Sequence, residues 1–165
     1  MMEWFVKAFL KASLAWLGLG VSLGLAMAVH PAWTVYRAVH LHMNLLGFVA
    51  MMIFGVAYHV IPRFTGHALY SRRLAAVQWW SANVGLAVFA IGLAAQTRNA
   101  RGAGALLAVG GTLSAVGAFV FIFNIWRTID GPRPAPLPSP RRAERPLGRS
   151  LQLHETTSGI SSETR

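Results

Sequence analysis

Four long apolar segments, separated by short polar connectors, dominate the first 130 residues of the sequence. The segments lie at about 5–29, 38–62, 74–96 and 103–126. A helix needs roughly 20 apolar residues to cross the hydrocarbon core of a bilayer, and each segment is long enough. The pattern therefore predicts an all-α membrane protein, a four-transmembrane-helix bundle over residues 1–130. Lys7, Lys11 and the length of the first segment favour a retained helix over a signal peptide.

Residues 131–165 have a different composition, and their beginning reads "GPRPAPLPSPRRAERPLGRS". A segment so rich in proline, arginine and small polar residues cannot bury an apolar core. It is predicted to be a disordered Pro/Arg-rich C-terminal tail. Its arginines either remain in solvent or contact anionic lipid.

The composition agrees with a membrane protein, since 55% of the residues are hydrophobic and only 12% are charged. The net charge of +10 first suggests nucleic acid, but the positive residues lie at helix ends and in the tail. Cytoplasmic connectors carry the excess of Lys and Arg, so the distribution predicts that both termini are cytoplasmic. We expect an inner (cytoplasmic) membrane of the bacterial type and no nucleic-acid partner. The absence of cysteine excludes disulfides and thiolate metal sites.

Two histidines, His40 and His42, open the second apolar segment, "AVHLHMNLLGFVAMMIFGVAYHVIPRF" at 38–64. Ionisable residues inside a membrane span are costly, which makes them functional candidates. Residues two apart on a helix point about 200° apart, so this pair serves two sites rather than one metal ion. His59 lies about 25 Å further along the same helix. The alternative is that both histidines are interfacial residues bonded to water or headgroups. Aromatic residues at several helix ends are expected to mark the interfacial belt: Tyr58, Trp79, Trp80 and Trp126.

The stretch after the histidine pair continues with Gly47-Phe48, Gly55, Tyr58 and Ile61-Pro62-Arg63. In this it resembles the tenth transmembrane helix of subunit I of haem-copper oxidases, most closely the cbb-type branch and its nitric oxide reductase relatives. "HALYSRRLAAVQWWSANVGLAVF" (67–89) and "FVFIFNIWRTI" (119–129) resemble later parts of the same subunit. The resemblance covers about residues 36–130, which correspond only to the C-terminal four-helix arc of that family.

The resemblance implies a role for each histidine as a ligand of haem iron. His40 matches the ligand of the high-spin haem, and His42 matches the ligand of the low-spin haem. Two neighbouring polar residues are further candidates for cofactor binding. Arg37 either pairs with a haem propionate or serves only as a positive topology marker. Asn44 hydrogen-bonds a histidine, a propionate or a neighbouring helix.

The chain also departs from the family pattern, because the helices that carry the copper histidines and the second low-spin ligand have no counterpart in it. Copper is therefore unlikely as a cofactor, and a complete oxidase activity is not expected. The hypothesis is a protein that binds haem b between the subunits of a homo-oligomer, most simply a dimer. It would transfer electrons with a respiratory-chain redox partner or bind O2 or NO. The alternatives are a minimal oligomeric oxidase or reductase, and a cofactor-free accessory or assembly subunit of a respiratory complex.

Overall fold

The computed structural model describes residues 2–131, so the predicted tail lies outside the described residues except for Gly131. Four helical spans make up the described part: Trp4–Val29, Pro31–Thr65, Arg72–Gln96 and Ala103–Ile129, numbered here the first to the fourth span. Each is long and apolar enough to cross a bilayer. No strand occurs between residues 2 and 131. The prediction of an all-α protein with four transmembrane helices is confirmed, and the orientation of its termini stays a prediction.

The second span is a composite helix and begins earlier than the sequence pattern predicts. It opens with a 3-10 turn at Pro31–Tyr36 and continues as an α-helix at Arg37–His42. A π-helical stretch at Met43–Ala50 follows, and a further α-helix at Met51–Thr65 ends the span. Proline can open the span because the first residues of a helix have no intrahelical partner for their N–H groups. The early start places the histidine pair deeper in the helix than the predicted boundary at 38 implies.

The third and fourth spans pack against each other through glycines spaced two helical turns apart. Gly85 on the third span faces Gly110 on the fourth. Gly92 lies against Leu106 and Leu107 of the fourth span, and Gly117 lies against Ser81 and Ala82 of the third. A Cβ atom at Gly110 would lie only 2.4 Å from the backbone nitrogen of Phe89. Glycine is therefore required here, because any side chain would push the two backbones apart.

A cluster of buried apolar side chains joins all four spans, since it includes Ile125 of the fourth. Phe9 is fully buried between the spans, and Met51 and Leu86 are 1% exposed. Tyr58 is also buried, at 3% exposure, and its ring packs edge-on against Phe5. The expectation that Tyr58 marks the interfacial belt is therefore wrong, because its face of the helix is turned toward the core. Two of the other aromatic residues in that expectation are well exposed, Trp80 at 60% and Trp126 at 66%.

Candidate functional site

The histidine pair lies well below the end of the second span along the helix axis, at the junction of its α-helical and π-helical parts. His40 contacts Gly20, which is about 14 Å from the end of the first span at Val29 at a rise of 1.5 Å per residue. His42 contacts Phe89, which is about 10 Å from the end of the third span. The contacts with Gly20 and Phe89 therefore place both histidines at least one helical turn below the helix ends. Stretches of π-helix often occur at functional sites, and this one begins directly after His42.

Among residues 2–131, one ring nitrogen of His42 has no hydrogen-bond partner. Its Nδ1 atom lies 2.8 Å from the carbonyl oxygen of Ala38, one turn earlier on the same helix. A carbonyl only accepts hydrogen bonds, so Nδ1 carries the proton and Nε2 keeps its lone pair. The ring is half-buried and packs beside Phe89 of the third span, with ring centroids 5.1 Å apart. The side chain therefore has a defined tautomer and one available ligand atom.

His40 points toward the first span instead. Its Nδ1 atom lies 2.8 Å from the carbonyl oxygen of Gly20, to which it donates a hydrogen bond. The ring fills a notch beside Gly24, where a Cβ atom would lie only 2.8 Å from Cε1 of His40. The two histidines thus face different spans, as their spacing of two residues predicts.

Asn44, one turn after His40, covers the His40 ring. Its Nδ2 donates to the backbone carbonyl of His40 at 2.9 Å and lies 3.3 Å from Nδ1 of the ring. The same amide packs against Gly20 of the first span. Asn44 therefore contacts both the histidine and the neighbouring helix, which were separate alternatives from the sequence. Arg37 is exposed at the start of the α-helical segment and makes no ion pair within residues 2–131.

The other three histidines of the described residues are not brought to the pair. His30 is exposed after the end of the first span, beside Trp33. The Nδ1 atom of His59 lies 3.0 Å from the Arg63 guanidinium, and His67 donates from Nδ1 to the carbonyl of Thr128 at 3.0 Å. Across the described part of the chain, no group of three or more His, Asp or Glu side chains is placed to hold a metal ion.

Two features of the site were not predicted from the sequence. The first is the notch for His40, whose only signal is the four-residue spacing of Gly20 and Gly24, typical of close helix contacts. The second is Phe89, which lies beside His42 although 47 positions separate them. Nothing in the sequence around Phe89 indicates this contact, because it depends on how the third span packs against the second.

The donor set at His42 fits a haem iron. Imidazole is a common axial ligand for haem, and a metal-bound histidine almost always donates its other N–H to a carbonyl or carboxylate. His42 has this arrangement before any metal is added, through Ala38. His40 has the same arrangement through the Gly20 carbonyl, and the Asn44 amide lies over its ring, 3.3 and 3.5 Å from the two ring nitrogens. The two predicted ligands therefore differ in their neighbours, since His40 packs against the first span and His42 beside Phe89 of the third.

The fold and the site define an integral membrane protein of four helical spans with an inward-placed histidine pair. No family model matches the chain. It is similar to the cbb3-type cytochrome c oxidase subunit CcoN1 of Stutzerimonas stutzeri, at 27% identity across 79% of this chain and 34% of that protein. It is also similar to cytochrome c oxidase subunit 1 of Rhodobacter capsulatus, at 29% identity across 59% of this chain and 22% of that protein. The chain is a distant relative of oxidase subunit I, and it spans about a third or less of the curated relatives it matches.

Proposed function

We propose that this chain is a haem b protein of a bacterial-type inner membrane, with His42 as an axial ligand. The observation that carries the proposal is the hydrogen bond from Nδ1 of His42 to the Ala38 carbonyl, which leaves Nε2 free. The distant relationship to oxidase subunit I gives independent support. The haem would supply the redox or gas-binding chemistry of its iron, and the chain would supply the ligand and its orientation.

The surroundings of His42 favour an apolar cofactor. The neighbouring residues Leu41, Leu45 and Leu46 are 43%, 58% and 41% exposed. At this depth such side chains face lipid or another protein surface, and they can also cover a porphyrin ring. Phe89 limits the rotation of the imidazole from the other side. Arg37, exposed one turn before Leu41, is in our proposal the cation that pairs with a propionate.

The second axial ligand is proposed to come from another copy of the chain. His40 is held by the first span, and the other described histidines are engaged at the helix ends or exposed there. A symmetric dimer would place one His42 on each side of a shared haem. Two protein ligands favour electron transfer, whereas an open sixth position favours binding of O2 or NO. The proposal includes no copper site and no complete oxidase reaction.

A visible absorption spectrum of the protein purified from haem-replete cells tests this function. We expect a Soret band, with sharp α and β bands after reduction that are typical of a six-coordinate b-type haem. An unchanged spectrum under carbon monoxide supports electron transfer, and a shifted Soret band supports gas binding. A colourless protein would overturn the proposal in favour of a cofactor-free accessory subunit. Native mass spectrometry from detergent measures the copy number and the haem content in the same sample.

A further inference from the structure

A cavity of about 530 Å³ lies where the second and fourth spans end, next to the connector that leads to the third span. Its volume is within the range of small-molecule sites, roughly 300–1,000 Å³. Its wall consists of connector residues 66–70 and of Arg127, Asp130 and Gly131 at the end of the fourth span. The histidine pair lies toward the other end of the second span, so this cavity is separate from the proposed haem site.

Three hydrogen bonds hold the connector on the end of the fourth span and give the cavity fixed walls. Nδ1 of His67 donates to the carbonyl of Thr128 at 3.0 Å. The Tyr70 N–H donates to Oγ1 of Thr128, also at 3.0 Å. The Ser71 N–H donates to Oδ1 of Asn124 at the same distance. Because Thr128 and Asn124 are buried, the shape of the cavity is set by the packed end of the bundle.

The cavity wall carries one positive and one negative side chain that are not paired with each other. Arg127 lies over the ring of Tyr70, with its guanidinium carbon 5.1 Å from the ring centroid. Asp130 lies on the same wall. Within residues 2–131 the one ion pair joins Arg72 to Glu3, so neither charge of the cavity has an ionic partner there. The guanidinium fits an oxyanion such as a phosphate, and the carboxylate fits a cation.

Exposed aromatic side chains lie next to this charged wall. Phe123 and Trp126 of the fourth span are 51% and 66% exposed. The Tyr70 ring packs edge-on against Phe123, with centroids 5.8 Å apart. Aromatic residues at the end of a membrane span are typical of the interface at which lipid headgroups meet the hydrocarbon core. The cavity therefore offers two opposite charges beside an apolar surface.

We propose that this cavity binds the headgroup of phosphatidylethanolamine. The phosphate lies against the Arg127 guanidinium, the ammonium group pairs with the Asp130 carboxylate, and the acyl chains follow the exposed aromatic residues of the fourth span. Phosphatidylglycerol has the same phosphate but no ammonium group, so it leaves Asp130 without a partner. Sites for anionic lipid are typically clusters of several Lys and Arg, whereas this wall has a single arginine and an aspartate.

Native mass spectrometry of the purified, delipidated protein tests the proposal by titration with the two lipids carrying identical acyl chains. We expect the wild type to bind phosphatidylethanolamine about two- to five-fold more tightly than phosphatidylglycerol, the effect of one exposed ion pair. Asp130→Asn should make the two affinities equal, and Arg127→Gln should weaken the binding of both lipids. Equal affinities in the wild type, or an unchanged preference in Asp130→Asn, would overturn the proposal.

Two charged residues at the same end of the bundle provide matched controls. Arg73→Gln removes an exposed arginine at the start of the third span, and Glu3→Gln removes a carboxylate that pairs with the same helix end. Neither residue lines the cavity, so both variants should keep the wild-type affinities. If Glu3→Gln lost the preference as fully as Asp130→Asn, the preference would come from the overall surface charge, and the site would be refuted.

Soluble O-phosphoethanolamine distinguishes a lipid site from a site for a free phosphate ester. It carries the same two charges without acyl chains. We expect no bound adduct at concentrations that saturate the protein with phosphatidylethanolamine, because the contacts along Phe123 and Trp126 are missing. Binding as tight as that of the lipid would overturn the assignment to a membrane lipid.

Discussion

Asn124 of the fourth span and Ser71, the N-cap residue just before the third span, are joined by two hydrogen bonds. Oδ1 of Asn124 accepts from the Ser71 backbone N–H at 3.0 Å, and Nδ2 donates to the Ser71 carbonyl at 2.9 Å. Thr128, one turn further on, accepts from the Tyr70 N–H at 3.0 Å. Asn124 is fully buried, so these bonds are made away from water. They hold the connector between the second and third spans on the end of the fourth.

The replacement Asn124→Leu should therefore destabilise the bundle. Leucine has nearly the same volume but leaves the N–H and C=O of Ser71 without partners, at a cost of about 1–3 kcal/mol for each group. We expect a loss of about 2–6 kcal/mol in the free energy of unfolding, measured by titration with sodium dodecyl sulfate. Phe119→Leu is the control, because Phe119 is on the same span and is 71% exposed. Equal stability of the two variants would show that the Asn124–Ser71 hydrogen bonds do not stabilise the bundle.

The close contact of the third and fourth spans predicts that replacing glycine by alanine in the fourth span destabilises the protein at some positions and not at others. In Gly110→Ala the new Cβ would meet the Phe89 backbone at 2.4 Å, so the helices must separate. The expected destabilisation is about 1–3 kcal/mol, the range for overpacking. Gly104→Ala on the same span meets nothing within 4 Å and should be neutral or slightly stabilising. The unfolding temperatures of the two variants in detergent test this prediction. A Gly110→Ala variant as stable as the wild type would show that the third and fourth spans do not pack as closely as the structure indicates.

The ligand proposal predicts that His42→Ala abolishes the haem absorbance of the purified protein. The reason is that Nε2 of His42 is the proposed iron ligand and has no hydrogen-bond partner among the described residues. His59→Ala is the matched control, since His59 is on the same span but its Nδ1 contacts Arg63. The measurement is the ratio of Soret to protein absorbance, which should stay at the wild-type value in the control. Retention of bound haem by His42→Ala would exclude His42 as a ligand.

The distribution of Lys and Arg predicts that both termini are cytoplasmic. A green fluorescent protein fused to the C-terminus should fluoresce, because it folds in the cytoplasm, and an alkaline phosphatase fused there should be inactive. Fusions after Asn99, in the connector between the third and fourth spans, should give the opposite result. The same activities at both fusion points would contradict a four-span topology, and the reverse pattern would contradict the predicted orientation.

Much of the architecture follows from the sequence alone. Four apolar segments separated by charged connectors leave few alternatives to four transmembrane helices, because a backbone in lipid must satisfy its hydrogen bonds within helices. The exact start of the second span could not be predicted from the sequence, because the residues of the 3-10 turn at Pro31–Tyr36 have the composition of a polar connector. The burial of Tyr58 was missed for a related reason. An aromatic residue near a helix end is typical of the membrane interface, and only packing against Phe5 and Phe9 reveals that it lies in the core.

For the histidine pair, the sequence determined that two imidazoles lie inside a membrane span and face different sides. That result needs only helical periodicity and the cost of burying polar groups. What lies on each face was decided by the tertiary structure. His40 packs against Gly20 and Gly24 of the first span, while Phe89 of the third span lies beside His42. Periodicity fixes directions around one helix axis, but the identity of the neighbour in each direction depends on contacts between residues far apart in the chain.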